Sequence, residues 1–474
     1  MKVLAAAAEV YPLVKTGGLA DVVGALPGAL QPLGVEVRTL VPGYPAVMAA
    51  LENGQEVHRY DQLFGGPIRL IAGMAKGLDV IAVDAPHLFD RPGNIYLGPD
   101  GKDWPDNAQR YGAFSRAAID AGRGIIADFR PDILHLHDWQ AALAAVHARF
   151  QGGPKTVMTV HNIAFQGQFP ASVFASLELP AAAFAIDGLE YYGTVCYLKG
   201  GLQCADAITT VSPSYANEIC TPEFGMGLDG LLRARRQVVS GIVNGIDTEV
   251  WNPETDADAV ACYNVRALGK RVANKRAIEQ RFSLEEDDGI LFCVVSRLTW
   301  QKGMDIFANA IDELVASGGR LALIGTGEAQ IERAMLAAAK RHKGRIGIIT
   351  GYDEALSHLM QAGADAIVIP SRFEPCGLTQ LYGLRYGCIP VVAHTGGLAD
   401  TIIDANDAAL AAGVATGFQF SPVDLPTLEH ALGRAQRAYA DKATWTTMQK
   451  RGMAADVSWR RSAKAYLALY RSLL

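Results

Sequence analysis

Thr16-Gly-Gly-Leu-Ala-Asp21 and Thr395-Gly-Gly-Leu-Ala-Asp400 are the same hexapeptide near opposite ends of a 474-residue chain. Each follows an apolar, strand-like run, residues 3–8 and 389–393, and each precedes a helical pattern. A Gly-Gly pair at such a strand-to-helix turn lacks the Cβ atoms that would keep an anion away from backbone N–H groups at the positive end of a helix. The duplication predicts two related phosphate-binding half-sites on two domains, facing one another across a cleft, with Lys15 adding a cation beside the first. For either copy alone, a tight turn with a capped helix is the competing reading.

Outward from the two hexapeptides, short β-branched runs alternate with longer Ala- and Leu-rich amphipathic segments. That alternation is the signature of α/β domains in which a parallel sheet carries helices on both faces. Strands are predicted at 35–41, 79–83, 133–136, 156–160 and 207–211, and then at 290–296, 320–324, 346–349, 366–369 and 389–392. Turn chemistry between 242 and 253, with Asn-Gly-Ile-Asp and Trp-Asn-Pro, marks the crossing between two doubly wound halves. The length fits two domains of more than about 200 residues each. Ligands of open α/β sheets bind at the carboxyl ends of the strands, so function is expected there.

Composition narrows the partners. A net charge of −6, from 43 basic and 49 acidic residues, disfavours nucleic acid or an anionic membrane, and an anionic ligand would need local cations. The seven cysteines include no C-x-x-C, which suits a reducing compartment and offers no zinc framework. The opening Met-Lys-Val-Leu-Ala-Ala-Ala-Ala has the look of a secretory leader, but Glu9 interrupts it too early and a buried first strand is expected instead. With no apolar stretch of about 18 residues, no transmembrane helix is expected and the location is read as cytoplasmic.

Four predicted strand ends carry chemically useful side chains. His135-Leu-His137-Asp138-Trp139 closes one strand and Thr159-Val-His161-Asn162 the next; either His alone reads as a structural hydrogen-bonding residue, but the two adjacent strand ends together predict a polar pocket. Ser296-Arg297-Leu-Thr-Trp-Gln-Lys302-Gly303 sets a guanidinium and an ammonium just past a buried strand, a pair suited to a pyrophosphate. Pro370-Ser-Arg-Phe-Glu374-Pro-Cys-Gly377-Leu378-Thr379 offers a carboxylate for sugar hydroxyls and a helix start for phosphate oxygens. No recognised metal-ligand spacing occurs; Asp256-Ala-Asp258 presents two carboxylates but is read as a solvated linker. A dehydrogenase reading is poor, because neither Gly-Gly turn completes G-x-G-x-x-G with an acidic residue about 20 positions on.

Together Lys15 to Val22, His137-Asp-Trp139, His161-Asn162, Asn244-Gly-Ile-Asp247, Ser296-Arg-Leu298 with Lys302-Gly303, and Pro370 to Gln380 resemble the ADP-glucose-dependent glycogen and starch synthases, essentially end to end and including Ser458-Trp459. The resemblance implies a GT-B glycosyltransferase of two Rossmann-like domains with parallel sheets and an active site in the interdomain cleft. It implies an N-terminal acceptor-side domain, 1–241, rejoined by a final helix, 456–474, and a nucleotide-sugar-binding domain, 242–455. The implied reaction moves glucose from ADP-glucose to the non-reducing end of an α-1,4-glucan with retention of configuration, with no cofactor or metal. Lys15 and the Gly17-Gly18 backbone are then expected at the donor phosphates, answered by Arg297 and Lys302. His161 is expected on the transferred glucose, Glu374 on its hydroxyls near Gly377, Leu378 and Thr379, and Tyr352 on the adenine. Asp21, Asp138, Asn162 and Asn244 complete the expected set.

The same comparison favours a route in which the leaving phosphate helps deprotonate the incoming hydroxyl on the same face of the sugar. On residue types alone, Glu374 or Asp138 could instead be the nucleophile of a double displacement. Two positions depart from the family pattern: Glu328 stands where Asp is expected, and His394 where Arg is more usual. A UDP-sugar transferase or epimerase on the same architecture, and a catalytically silent glucan-binding protein, are the alternative readings.

Overall fold

The computed structural model describes all residues, Met1–Leu474. It resolves into two compact units, Met1–Asn244 with Trp459–Leu474, and Gly245–Ser458.

The first unit is built on a nine-stranded sheet with a small three-stranded sheet beside it in sequence. Its strands are β1 (Lys2–Ala6), β2 (Glu36–Pro42), β3 (Glu52–Leu63), β4 (Gly66–Ala75), β5 (Leu78–Asp84), β6 (Ile133–His137), β7 (Lys155–Val160), β8 (Gln168–Pro170), β9 (Glu190–Tyr191), β10 (Thr194–Cys196), β11 (Ala207–Thr210) and β12 (Val239–Gly241). The large sheet runs β12-β11-β7-β6-β1-β2-β5-β4-β3, with β8, β10 and β9 forming the small one. Pairing is parallel from β12 to β5 and antiparallel from β5 through β4 to β3. The predicted strands match to within a residue or two. The β3–β4 hairpin, by contrast, has no counterpart in the sequence reading, because β3 is a mostly exposed edge strand of polar residues without an apolar alternation.

The second unit is a six-stranded, all-parallel sheet of β13 (Leu291–Val295), β14 (Arg320–Gly325), β15 (Ile346–Thr350), β16 (Ala366–Ile369), β17 (Ile389–Ala393) and β18 (Phe418–Phe420), in the order β15-β14-β13-β16-β17-β18. β13, β14 and β16 are buried nearly throughout, as strands covered by helices on both faces must be.

The chain's last helix, Trp459–Leu473, belongs to the first unit. Trp459, Ala463, Tyr466 and Tyr470 form one apolar stripe at helical spacing and pack against Val22, Leu26 and Leu30 of the helix Gly18–Leu30. Each fully buried tyrosine there contributes roughly 1.5–3 kcal/mol of burial.

Strand order locates the functional ends. In the first unit the chain passes from β1 to β2, out to the edge strand β3 and back through β4 to β5, then crosses to lay β6 on the other side of β1, so the order reverses between β1 and β6. In the second it reverses between β13 and β16. Such reversals leave a crevice at the carboxyl ends of the two central strands. β1 leads into the Gly17-Gly18 turn and β6 into Asp138; β13 leads into Arg297 and β16 into Glu374.

Candidate active site

In the first unit, Glu9 organises the first glycine turn. Its buried carboxylate accepts hydrogen bonds from Thr16 N at 2.5 Å, Thr16 Oγ1 at 2.6 Å, Gly17 N at 3.2 Å and the Tyr96 hydroxyl at 2.6 Å. The Gly17 N–H, expected at a donor phosphate, is bonded to Glu9 in this structure. The first-turn N–H groups from Gly18 onward have no earlier turn to accept them and remain for an anion. Space is not limiting, because a Cβ built on Gly17 or Gly18 meets nothing within 4 Å. Beside the turn, Lys15 Nζ lies 2.8 Å from Asp21 Oδ1, both partly exposed.

The ends of β6 and β7 are tied by Asp138, which sits at positive φ (54°) and accepts the His161 N–H at 2.7 Å. Burial pushes this carboxyl up to about 7, opposed by the His161 hydrogen bond and reinforced by the charge of Glu9, so the glycine turn and the β6 loop are electrostatic neighbours. Asp138, named above as a candidate nucleophile, is thus engaged with backbone. His161 is buried and pushed down to about 3 by desolvation, hence neutral at pH 7. Its Nε2 lies 3.0 Å from Nδ1 of His137. Asn162 closes its own turn by accepting from Ala164 N at 3.0 Å. Asn244 is buried, and its amide oxygen has no hydrogen-bond partner.

In the second unit, Arg297, Lys302, Glu374 and Thr379 line one cavity of about 140 Å³ at the β13–β16 reversal. Lys302 Nζ stands 2.5 Å from Glu374 Oε2, and Ser371 Oγ donates to the same oxygen at 2.8 Å. Arg297 is exposed and makes no ion pair, which leaves its full donor fork for a ligand. Gly303, at φ 67°, lets the Lys302 turn press onto the loop after β16, where any Cβ would collide with the Pro370 carbonyl. Arg372 fastens the two loops, forking onto Asp305 at 2.6 and 2.7 Å and donating to Trp300 O at 2.6 Å. Glu328 accepts from Trp300 N at 2.8 Å, so the longer acid at this position still caps the Arg297–Lys302 loop. Gly377 (φ 70°) and Leu378 lead into the helix Thr379–Tyr386, whose first-turn N–H groups open beside Glu374. Tyr352 is 70% exposed and is not among the residues lining the cavity.

The second hexapeptide is not the phosphate half-site its sequence suggests. Gly396 and Gly397 are buried against the backbone of 374–376, and Gly397 N donates to Glu374 O at 3.1 Å and Pro375 O at 3.2 Å. A Cβ on Gly397 would lie 2.5 Å from Cys376 Cα. The same six residues that form an open turn in one unit thus form a packed buttress under the Glu374 loop in the other. Asp256 also departs from expectation. It is buried and held by His358 Nδ1 at 2.9 Å, by the Tyr386 hydroxyl and by Asp258 N at 3.0 Å, with only Asp258 exposed.

Two doubly wound units, each presenting cations and a polar site at its strand-order reversal, define a GT-B glycosyltransferase. The family profile for the starch synthase catalytic domain matches residues 2–234, and that for glycosyl transferases group 1 matches residues 275–422. Glycogen synthase 1 of Rhizobium meliloti (strain 1021) is 59% identical over 477 residues, covering 100% of this chain and 99% of the relative. Glycogen synthase of Mesorhizobium japonicum is 58% identical over 476 residues, with the same coverage. The solved catalytic domain of starch synthase IV from Arabidopsis thaliana, bound to ADP and acarbose, superposes with a TM-score of 0.87 at 33% identity, covering 99% of each chain. The chain belongs to the glycogen and starch synthase family. No helix is long and apolar enough to cross a membrane.

Proposed function

We propose that this enzyme transfers glucose from ADP-glucose to the non-reducing end of an α-1,4-glucan, with retention at the anomeric carbon and release of ADP. The observation that carries the reading is the Glu374–Lys302 pair beside the unpaired Arg297 at the strand-order reversal of the second unit. Breaking a glucosyl phosphate builds positive charge on the sugar and negative charge on the departing diphosphate. Fixed cations and helix-terminal N–H groups at the leaving group therefore lower the barrier. We assign Lys15 and the Gly18 turn of the first unit, and Arg297 and Lys302 of the second, to that charge.

Glu374 suits a positioning role. Oε2 is held by an ammonium and a hydroxyl, which withdraw charge from the carboxylate and weaken it as a nucleophile. Its other oxygen remains for sugar hydroxyls. With Asp138 engaged by backbone, the same-face route, in which the leaving phosphate takes the acceptor's proton, is the one we adopt. Neutral His161 contacts the transferred sugar as a hydrogen-bonding group. Three cations at the diphosphate make a metal ion unnecessary in this scheme, and exposed Tyr352 is the platform for adenine. Seven cysteines, none of them in a disulfide, suit a cytoplasmic enzyme.

The test is incubation with a maltooligosaccharide and, separately, ADP-glucose, UDP-glucose and UDP-N-acetylglucosamine. ADP release with lengthening by α-linked glucose supports the proposal. Turnover of a UDP-sugar alone, or polysaccharide retention without nucleotide release, would replace it with one of the two alternative readings.

A further inference from the structure

The hydrogen-bond geometry around His161 bears on which of its ring nitrogens carries the proton. His137 is completely buried at the end of β6 and reaches across to β7, its Nδ1 3.0 Å from His161 Nε2. Both rings are neutral, burial holding both well below the usual histidine range, so each carries one N–H and a single proton lies between them. Either His137 donates through Nδ1–H or His161 donates through Nε2–H. The two cases differ at the far side of His137, where Nε2 is buried without any partner. If His161 were the donor, the proton of His137 would have to sit on that nitrogen, as a buried N–H with nothing to receive it. Orphaned buried N–H groups are rarer than under-satisfied acceptors. If His137 is the donor, its Nε2 is a bare lone pair and the proton of His161 moves to Nδ1, the nitrogen that makes no bond within the protein.

We infer that His137 is a positioning residue that fixes His161 as the Nδ1–H tautomer, so that His161 meets the transferred sugar as a hydrogen-bond donor to one of its oxygens. The neighbouring ring is held in the same manner. His135, whose centroid lies 4.1 Å from that of His137, is bonded by Thr159 Oγ1 at 2.6 Å and by the Tyr470 hydroxyl of the last helix at 2.8 Å. His137 is therefore packed against a ring that is itself held on both nitrogens, and its orientation is fixed before any ligand arrives. The sugar contact rests on the function proposed above, whereas the tautomer does not.

The test is a neutron structure, or nitrogen-15 spectra of histidine-labelled full-length protein without ligand, assigned with a His161→Gln control. A proton on His161 Nδ1 with Nε2 bare is expected; a proton on His161 Nε2 overturns the inference whatever the enzyme's substrate proves to be. In kinetics, His137→Leu removes the donor and should lower kcat/KM about 10- to 100-fold, the range for losing a partner that orients a functional histidine. His137→Asn, whose amide stands near Nδ1, should restore all but a few-fold and keep the His161 signal in the Nδ1–H form. Equal losses in Leu and Asn variants of matched thermal stability would contradict the positioning role. An inactive wild type with the expected tautomer would instead sink the proposed reaction and leave the tautomer standing.

Discussion

Gly397→Ala places one methyl group where the second glycine turn supports the Glu374 loop. The new Cβ would lie 2.5 Å from Cys376 Cα, and ordinary contact begins at 3.4 Å, so the backbone at 376 must retreat by about 1 Å. Glu374 is two residues upstream, and a shift of that size breaks its 2.5 Å contact with Lys302 and its 2.8 Å bond from Ser371. A misplacement of about 1 Å in a catalytic constellation costs on the order of 10² in turnover. Overpacking adds about 1–3 kcal/mol of destabilisation, or a Tm lowered by roughly 2–12 °C for a unit of this size. Gly18→Ala is the matched control, since it alters the equivalent residue of the first hexapeptide and its Cβ meets nothing within 4 Å. Its Tm should stay within about 2 °C of wild type. Differential scanning calorimetry and ADP-release kinetics on both variants decide the matter. A Gly397→Ala enzyme with wild-type Tm and kcat, or a Gly18→Ala enzyme destabilised as much, would refute the buttress account.

Arg297→Ala and Lys302→Ala should each lower kcat by about 10² to 10³ in the ADP-release assay. Only the second should also lower Tm, because Arg297 makes no ion pair whereas Lys302 neutralises buried Glu374. Tyr352→Ala should raise KM for ADP-glucose about 2- to 10-fold, the worth of one aromatic stack, with kcat nearly unchanged. Turnover should be insensitive to EDTA, and its loss and recovery with magnesium would contradict diphosphate binding by side-chain cations alone. His135, His137, His147 and His161 are all lowered by burial, so the unfolded chain binds protons that the native state refuses once pH falls below about 6.5. Stability should therefore fall with decreasing pH from about 6.5 toward 4. Asp138, raised to about 7, opposes this by one proton, leaving a slope of at most roughly 4 kcal/mol per pH unit. Urea midpoints that do not change between pH 7 and pH 5 would contradict the buried-neutral assignment.

What the sequence revealed and what it hid divide along physical lines. Buried parallel strands announce themselves as β-branched runs, and a polar residue just after such a run lies at a strand's carboxyl end, which is why His161, Arg297 and Glu374 were legible. The β3–β4 hairpin was not, because an edge strand is held by pairing to its neighbour rather than by its own apolar face. Glu9 could be seen only as a charge breaking an apolar run; its role depends on the chain curling back so that Thr16 and Gly17 aim their N–H groups at it. The paired hexapeptides show the limit most clearly, since identical local sequence is an open turn where nothing packs on it and a close-packed support where the 374–376 backbone does. Arg372 and Asp305 lie 67 residues apart, and no local pattern joins them.

A crystal structure with ADP-glucose, or with ADP and a maltooligosaccharide, tests the central claim most directly. The donor's phosphate oxygens should lie within about 3.2 Å of Arg297 and Lys302. A nucleotide bound elsewhere, or one whose phosphates touch neither Arg297 nor Lys302 in a catalytically competent crystal, would contradict it.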